Sequence, residues 1–157
     1  MTSTLQVGGP DWIQRHLQAY LATDGAEGHF LDFTPGGGRA QTPTLILKTI
    51  GRRTGQPHLT PLIYGRHGKE FVIIGSKGGA PEHPAWYLNL TARPDVAFQV
   101  ADKKYHGGWR EAHGAERTEV WNEMVELYPP YRDYAVRAAG REIPVILLDP
   151  REPTDAL

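Results

Sequence analysis

The chain has 157 residues, 39% of them hydrophobic, which is the length of one ordinary domain with a buried core. A formal net charge of −1 argues against nonspecific nucleic-acid binding, and the absence of cysteine excludes disulfides, thiolate metal sites and a cysteine nucleophile. No apolar run approaches the roughly 20 residues of a membrane span, and the first residues lack the pattern of a signal peptide, so we expect a single cytoplasmic domain over residues 1–157.

The first half of the chain predicts a helix, a loop and three strands. Asp11 is a favourable N-cap, and apolar residues follow it at helical spacing, which predicts an amphipathic helix at about 11–22. A polar, glycine-rich loop is expected over residues 28–38. Three β-branched or alternating runs, joined by hairpin turns over 51–56 and 65–68, predict strands at 44–50, 58–64 and 70–75.

The second half mixes helices with strands. A helix over residues 82–92 ends at Arg93-Pro94, and a helix over 116–127 must end before Pro129-Pro130, because proline disrupts helical geometry. A hairpin, a further helix and a final strand are predicted at 95–100 and 104–112, at 131–139 and at 143–149. Strands that follow one another through short turns favour an α+β fold, mainly β: a small barrel of about six antiparallel strands with flanking helices.

Two glycine-bounded basic turns indicate an anionic ligand. The hairpin tip Gly51-Arg52-Arg53-Thr54-Gly55 offers two guanidinium groups. The turn Ser76-Lys77-Gly78-Gly79 lies between a strand and a helix, where backbone amides and a lysine can bind an anion. Taken alone, each turn is also explained as a solvated tip or a plain glycine turn. Both turns adjoin neighbouring strands, so their convergence on one rim of the barrel favours a shared ligand.

The helix over residues 82–92 carries an aromatic pair and a carboxamide. Tyr87 and Leu90 are expected in the core, and core packing is also an alternative for Trp86. An indole is nevertheless a suitable neighbour for a planar ring system. Asn89 offers both a donor and an acceptor to the polar edge of such a ring.

Three tyrosines recur at every third residue around the predicted proline break, at Tyr128, Tyr131 and Tyr134. Core packing is the usual explanation of an aromatic stripe. A buried phenol, however, requires a partner for its hydroxyl. Three of them on a proline-broken segment therefore indicate a pocket wall or lid.

The turn GRRTGQP at 51–57, the run SKGGAPEHPAWYLNL at 76–90 and the tyrosine series together resemble the deazaflavin-dependent nitroreductase family, over about Thr44 to Pro150. Members of that family use the 8-hydroxy-5-deazaflavin coenzyme F420. The resemblance implies a split β-barrel of the flavin-reductase type. It also implies an F420H2-dependent reductase that transfers a hydride to a quinone, an activated enone or a nitroaromatic acceptor.

The resemblance implies site residues as well. The positions that match catalytic residues of the family are Ser76, Tyr128, Tyr131 and Tyr134. The positions that match coenzyme-binding residues are Arg52, Arg53, Thr54, Pro57, His58, Thr60, Pro61, Gly75, Ser76, Lys77, Gly78, Gly79, Trp86, Asn89, Tyr128 and Tyr131. The family commonly has arginine where this chain has His58, so we expect one weaker electrostatic contact to the coenzyme there.

Other functions and partners stay open on the sequence alone. One alternative is an oxidoreductase of the same fold that binds FMN, whose phosphate also suits basic turns; another is a non-enzymatic deazaflavin carrier. No metal is expected, because the seven histidines show no ligand spacing such as HExxH. The expected partner is a small-molecule hydride acceptor, bound by a monomer or a homodimer. Contact of the N-terminal helix with a membrane surface is the less favoured alternative, since basic residues are few there.

Overall fold

A computed structural model describes the backbone of residues 3–6 and all of residues 11–157. The helices are α1 (Trp12–Thr23), α2 (Ala85–Ala92), α3 (Gly114–Leu127) and α4 (Pro130–Arg137). The strands are β1 (Ser3–Gln6), β2 (Glu27–Asp32), β3 (Thr42–Ile50), β4 (Pro57–Ile63), β5 (Gly65–His67), β6 (Glu70–Ile74), β7 (Val96–Val100), β8 (Lys103–Glu111) and β9 (Val145–Pro153).

The helices lie close to their predicted positions. α1 matches the helix expected at about 11–22, but Asp11 does not cap it through its side chain: its backbone is left-handed, with φ of 56°, and its carboxylate makes no capping hydrogen bond. α3 ends at Leu127 and α4 begins at Pro130, as the proline pair predicts. Proline at the start of α4 costs no hydrogen bond, because the first amides of a helix have no intrahelical acceptor.

The described strands form one sheet in the order β1-β2-β3-β7-β8-β9-β6-β5, and β4 pairs with the other edge of β3. The β1–β2 pair is parallel and the other pairs are antiparallel. β4 approaches β6, although no ladder joins these two strands in the described part of the chain. A sheet that curls on itself and stays open at one seam is a split β-barrel, so the predicted fold class is confirmed.

The sheet has more strands than the roughly six predicted. Residues 27–32, which the sequence places partly in a loop, form β2, because Phe30 and Leu31 pair with the first residues of β3. The turn expected at 65–68 lies at Gly68 instead, because the residues before it form β5 and pair with β6. These strands depend on partners elsewhere in the chain, which composition does not reveal.

Two apolar clusters occupy opposite faces of the curled sheet. The barrel interior is filled by alternate residues of the strands together with Trp86 and Leu90 of α2, and its strand members include Leu45, Leu47, Phe71, Ile73, Phe98, Ile146 and Leu148. The outer cluster packs α3 and α4 on the sheet, and it includes Val72, Leu147, Val120, Met124, Tyr128 and Tyr131. Leu90 is fully buried and Tyr87 packs against the interior cluster, as expected.

Candidate functional site

A cleft of about 560 Å³ opens between α1, β4, the turn after β6, and α4. Most of its wall is apolar and comes from Trp12, Ile13, Leu31, Phe33, Leu62, Ile63 and Ile74. Its polar lining is dominated by hydroxyl groups, from Thr44, Thr60, Ser76, Tyr128, Tyr131 and Tyr134. The cleft therefore suits a planar apolar molecule that carries an oxygen able to accept hydrogen bonds.

A smaller pocket of about 270 Å³ lies at the β3–β4 hairpin tip, and we call it the tip pocket. It is lined by Gly51, Arg52, Arg53, Thr54, His58, Ala85, Trp86 and Asn89. Trp86 lines both the tip pocket and the cleft, and only 6% of its surface is exposed. The structure thus brings the two predicted basic turns to either side of one indole.

The glycine turn, Gly75–Ala80, has an anion-binding backbone shape. Ser76 is right-handed, with φ of −75°, and Lys77 and Gly78 are left-handed, with φ of 47° and 63°. Successive residues of opposite hand point their amides into one concavity. The amides of Lys77 and Gly78 have no acceptor within the described part of the chain. These two amides are free to bind an anionic group.

The charge of Lys77 is partly neutralised by a neighbour. Its Nζ lies 3.0 Å from Oε1 of Glu82, and both side chains are exposed. This contact lowers the pKa of the Glu82 carboxyl. A phosphate that binds Lys77 has to compete with this carboxylate, which the sequence pattern does not reveal.

The three tyrosines lie together on the cleft wall. The hydroxyls of Tyr128 and Tyr134 are 3.1 Å apart and share a hydrogen bond. Tyr131 packs edge-on against Tyr128, with ring centroids 4.9 Å apart. Burial raises the pKa of Tyr131 well above its ordinary value, and the neighbouring Tyr128 and Tyr134 add to the rise. Tyr131 therefore carries its proton at neutral pH.

Two largely buried residues of the cleft, Ser76 and Tyr131, carry a hydroxyl that has no partner among the described residues. Neither Tyr131 Oη nor Ser76 Oγ forms a hydrogen bond with any described residue, although both side chains are more than nine-tenths buried. Both residues line the cleft. Neither oxygen is sealed in the core, because the fully buried side-chain polar atoms without a partner in the described part of the chain are limited to Gln99 Oε1. Both hydroxyls are therefore open to the cleft and available to donate a hydrogen bond to a bound molecule.

The hairpin tip is pinned to α2 by a carboxamide. Oδ1 of Asn89 accepts from the Arg52 amide at 3.2 Å and from Arg52 Nη1 at 3.0 Å, and Nδ2 donates to Thr49 Oγ1 at 3.4 Å. Asn89 lines the tip pocket, and its Oδ1 is occupied by these two bonds, whereas one of the two Nδ2 hydrogens has no acceptor in the described part of the chain. Asn89 therefore shapes the tip and keeps one donor for a ligand. Arg53 is exposed and forms no ion pair with a described residue.

Three of the predicted coenzyme-binding residues line neither pocket. Pro57 is an exposed residue at the start of β4. Gly75 anchors the start of the glycine turn, because its amide donates to Pro144 O at 2.9 Å. Gly79 faces α4: a Cβ there would lie 2.8 Å from the backbone oxygen of Tyr134. His58 does line the tip pocket, beside Gly51.

Sequence reasoning missed the wall that α1 and the following loop contribute. Trp12 and Phe33 form an edge-on pair, and Phe33 packs in turn on Tyr128 with centroids 5.2 Å apart. His16 is buried behind them, where Nε2 donates to Gly28 O at 2.8 Å and burial lowers its pKa. The amphipathic pattern of α1 was the available signal, but it does not show which surface the apolar face covers.

The residues fit an anionic ring coenzyme, and no other kind of site competes for them. The free amides of the glycine turn and the exposed Arg53 suit phosphate and carboxylate groups, while the cleft beside Trp86 accepts a ring. Within residues 11–157, no cluster of three or more histidine or carboxylate side chains could hold a metal ion. None of the described helices is long and apolar enough to span a membrane.

Comparisons with known proteins agree with this geometry. Residues 12–150 match the profile of the family described as F420H(2)-dependent quinone reductase. A Mycobacterium tuberculosis H37Rv protein named F420H(2)-dependent quinone reductase is 34% identical over an alignment of 152 positions, gaps included; the alignment covers 89% of this chain and 97% of the relative.

Two solved structures extend the similarity to the fold. One, described as an F420-H2 dependent reductase (FDR-A), is 36% identical with a TM-score of 0.63 and covers 68% of this chain and 94% of its own. The other, described as a domain-swapped dimer, is 31% identical with a TM-score of 0.64 and covers 88% of this chain and 98% of its own.

Proposed function

The chain belongs to the F420H(2)-dependent quinone reductase family, and from this premise we propose that it reduces a quinone with F420H2 in the cleft beside Trp86. The observation that carries the proposal is the pair of unpaired hydroxyls, Tyr131 and Ser76, in an otherwise apolar cleft. Activated enones and nitroaromatics present a similar electron-poor group with an oxygen acceptor, so they are further candidate acceptors.

The residues that would hold the coenzyme divide into two sets. Arg52 and Arg53 of the tip pocket supply positive charge for the phosphate and glutamate groups. The free amides of Lys77 and Gly78 offer a second set of donors. Trp86, between the two, suits the face of a tricyclic ring.

The reaction mainly requires that the negative charge on the acceptor be stabilised and that the acceptor receive a proton. When bound, the reduced deazaflavin supplies a hydride, and it provides the difficult chemistry. The Tyr131 and Ser76 hydroxyls donate hydrogen bonds to the acceptor oxygen as it gains negative charge. Burial raises the pKa of Tyr131, so its Oη keeps its proton and remains a hydrogen-bond donor to that oxygen, while the proton of the reduced acceptor comes from solvent.

Tyr128 and Tyr134 act as a pair in this proposal. Their shared hydrogen bond fixes the position of both hydroxyls at the cleft wall. Only one of the two protons is used in that bond, so the other remains available to a substrate or to solvent. We therefore assign the pair to substrate orientation.

The wider setting of the enzyme follows from the same proposal. We propose one domain over residues 1–157 that works in the cytoplasm on a small-molecule acceptor, as a monomer or a homodimer. Its cofactor is F420 and it requires neither a metal nor a nucleic acid. The described helices contain no candidate membrane span.

Titration of the purified protein with F420 and with FMN tests the proposal. We expect micromolar or tighter binding of F420, much weaker binding of FMN, and reduction of quinones by F420H2. A preference for FMN would move the protein to the FMN-binding reductases of the same fold. Tight F420 binding without reduction of any quinone, enone or nitroaromatic would indicate a coenzyme carrier.

A further inference from the structure

The hydrogen bonds within the glycine turn do not by themselves hold its backbone conformation. Lys77, Gly78 and Gly79 all have positive φ, at 47°, 63° and 83°. Lys77 is unfavourable in this region because its Cβ approaches the following carbonyl oxygen. Two hydrogen bonds close the turn from within, Gly79 to Ser76 O at 2.9 Å and Ala80 to Lys77 O at 3.1 Å. Such a backbone persists only where surrounding groups hold it.

Arg141 supplies this support from outside the cleft. Its guanidinium donates to Gly75 O at 3.0 Å, to Ser76 O at 2.7 Å and to Ala80 O at 2.9 Å. These carbonyls lie at both ends of the turn. Because the guanidinium is planar and offers five N–H donors in a fixed arrangement, it fixes the two ends relative to each other.

The same side chain ties the turn to the segment that leads into α2. Nη1 of Arg141 lies 3.0 Å from Nδ1 of His83. Arginine only donates hydrogen bonds, so Nδ1 of His83 carries the lone pair and the ring hydrogen lies on Nε2. One guanidinium thus joins the glycine turn to the residues just before Trp86.

α4 packs directly on the turn that Arg141 holds. A Cβ at Gly79 would lie 3.0 Å from the Cα of Tyr134, so the two backbones are in contact there. Arg141 follows α4 and lines a surface depression with His83 and Glu142, on a different side of the turn from the cleft. Arg141 does not line the cleft, so its effect there passes through the turn and through His83, which precedes Pro84 and Trp86 of the cleft wall.

We propose that Arg141 is a positioning residue: it holds the Ser76 hydroxyl and the free amides of the glycine turn in place against Tyr131 and Tyr134. Its kinetic consequence rests on the proposed function. Its effect on the order of the turn does not, because that order is a property of the protein without coenzyme.

Arg141→Ala and Arg141→Lys test this role, with Arg110→Ala as the matched control. Arg110 also forms four hydrogen bonds, all to the carboxylates of Glu70 and Glu116 on another face. In Arg141→Ala we expect kcat to fall at least about tenfold at saturating F420H2, because small misplacements of reacting groups have effects of this size. Arg141→Lys should fall between Arg141→Ala and the parent protein, since one ammonium cannot reach all three carbonyls.

Two readouts separate positioning from general destabilisation. Amide hydrogen exchange of residues 75–83 should be faster in Arg141→Ala than in the parent, and low millimolar guanidinium should slow it and restore part of kcat. Arg110→Ala should show neither the faster exchange nor the rescue. Unchanged exchange with kcat within twofold of the parent, or a loss of activity that guanidinium does not restore, would overturn the proposal.

The experiment also distinguishes failure of this inference from failure of the proposed function. If the parent protein neither binds nor oxidises F420H2, the proposed function falls. Faster exchange of the turn in Arg141→Ala, reversed by guanidinium, would still support the role of Arg141. Unchanged exchange would refute that role whatever the coenzyme does.

Discussion

The tip pocket and the cleft share Trp86 but differ in the groups that they leave free. At the tip the free group is a charge, the exposed guanidinium of Arg53, while Arg52 is bonded to Asn89. In the cleft the free groups are uncharged hydroxyls, on Ser76 and Tyr131, within apolar walls. Exposed charge is suited to holding an anion, and neutral donors in an apolar cleft are suited to stabilising charge that forms during a reaction. We therefore propose that the tip pocket binds the charged tail of the coenzyme and that the reaction takes place in the cleft.

The largest expected effect comes from the cleft. The double substitution Tyr131→Phe with Tyr134→Phe should lower kcat about 100-fold, which is the lower end of what one hydrogen-bond donor to a developing negative charge contributes. The dissociation constant of F420 should change by less than about threefold, because in this proposal the hydroxyls donate to the acceptor oxygen and not to the coenzyme. Single-turnover oxidation of F420H2 by a quinone, together with a coenzyme titration, measures both quantities.

Tyr87→Phe is the matched control for the double tyrosine variant. The Tyr87 hydroxyl donates to Glu111 Oε1 at 2.7 Å and lies outside the cleft. Burial and this hydrogen bond raise its pKa to about 12. Loss of this phenol should leave kcat unchanged. If the double variant also kept its full kcat, the chemical role of the cleft tyrosines would be refuted.

At the hairpin tip we expect a smaller effect, which changes the affinity for the coenzyme and not kcat. The double substitution Arg52→Ala with Arg53→Ala should weaken F420 binding about tenfold and leave kcat at saturation nearly unchanged, because the charges act on coenzyme groups remote from the reacting ring. The salt dependence of the dissociation constant should become shallower, since fewer charges are screened. Arg151→Ala, an exposed arginine elsewhere, is the control. A fall in kcat without a change in affinity would reverse the assignment of the two pockets.

The stability of the folded protein should also depend on pH, through the buried histidine in the cleft wall. Burial lowers the pKa of His16, so folding favours the neutral ring. The stability that it contributes is complete above the unfolded pKa of about 6.5 and is lost as the pH falls below that value. His29 behaves similarly, because burial lowers its pKa too. The melting temperature should therefore fall between pH 6.5 and 5.

Substitution of both histidines tests this pH dependence. His16→Gln with His29→Gln should flatten the acid side of the melting profile, since glutamine can still donate to Gly28 O but does not titrate in this range. His106→Gln, at an exposed position, should leave the profile as steep as in the parent. An equally steep profile in the double variant would show that other groups cause the loss.

The smallest effect is expected at the Lys77–Glu82 ion pair. Glu82→Gln releases Lys77 from a carboxylate 3.0 Å away, and it should tighten F420 binding about two- to threefold, because exposed ion pairs contribute little. The gain should shrink at high salt. Glu152→Gln, an exposed carboxylate of β9, is the control. Weaker binding in Glu82→Gln would mean that the carboxylate supports the turn.

Sequence patterns predicted those elements whose conformation is set by the backbone preferences of neighbouring residues. Proline at 129–130 separates α3 from α4, and glycine with basic residues marks both turns, because these depend on backbone preferences of the residues themselves. β2 was assigned to a loop, because its strand conformation depends on pairing with β3. The α1 wall of the cleft depends on the same long-range packing.

Side-chain to backbone contacts were the other feature beyond the reach of sequence patterns. Asn89 holds the hairpin tip through its polar atoms, a contact that its predicted role toward a ring edge does not reveal. Arg141 belongs to none of the motifs found in the sequence, although its guanidinium donates hydrogen bonds to three carbonyls of the glycine turn. Such roles follow from where distant segments meet, and a single sequence carries no motif for them.

A crystal structure of the complex with F420 tests the division between the two pockets most directly. We predict phosphate and glutamate groups at Arg52 and Arg53 in the tip pocket. The deazaflavin ring should lie in the cleft beside Trp86, close enough to Tyr131 and Ser76 for both hydroxyls to reach an acceptor bound against it. A ring bound outside the cleft, or a tail directed away from the hairpin tip, would contradict the account.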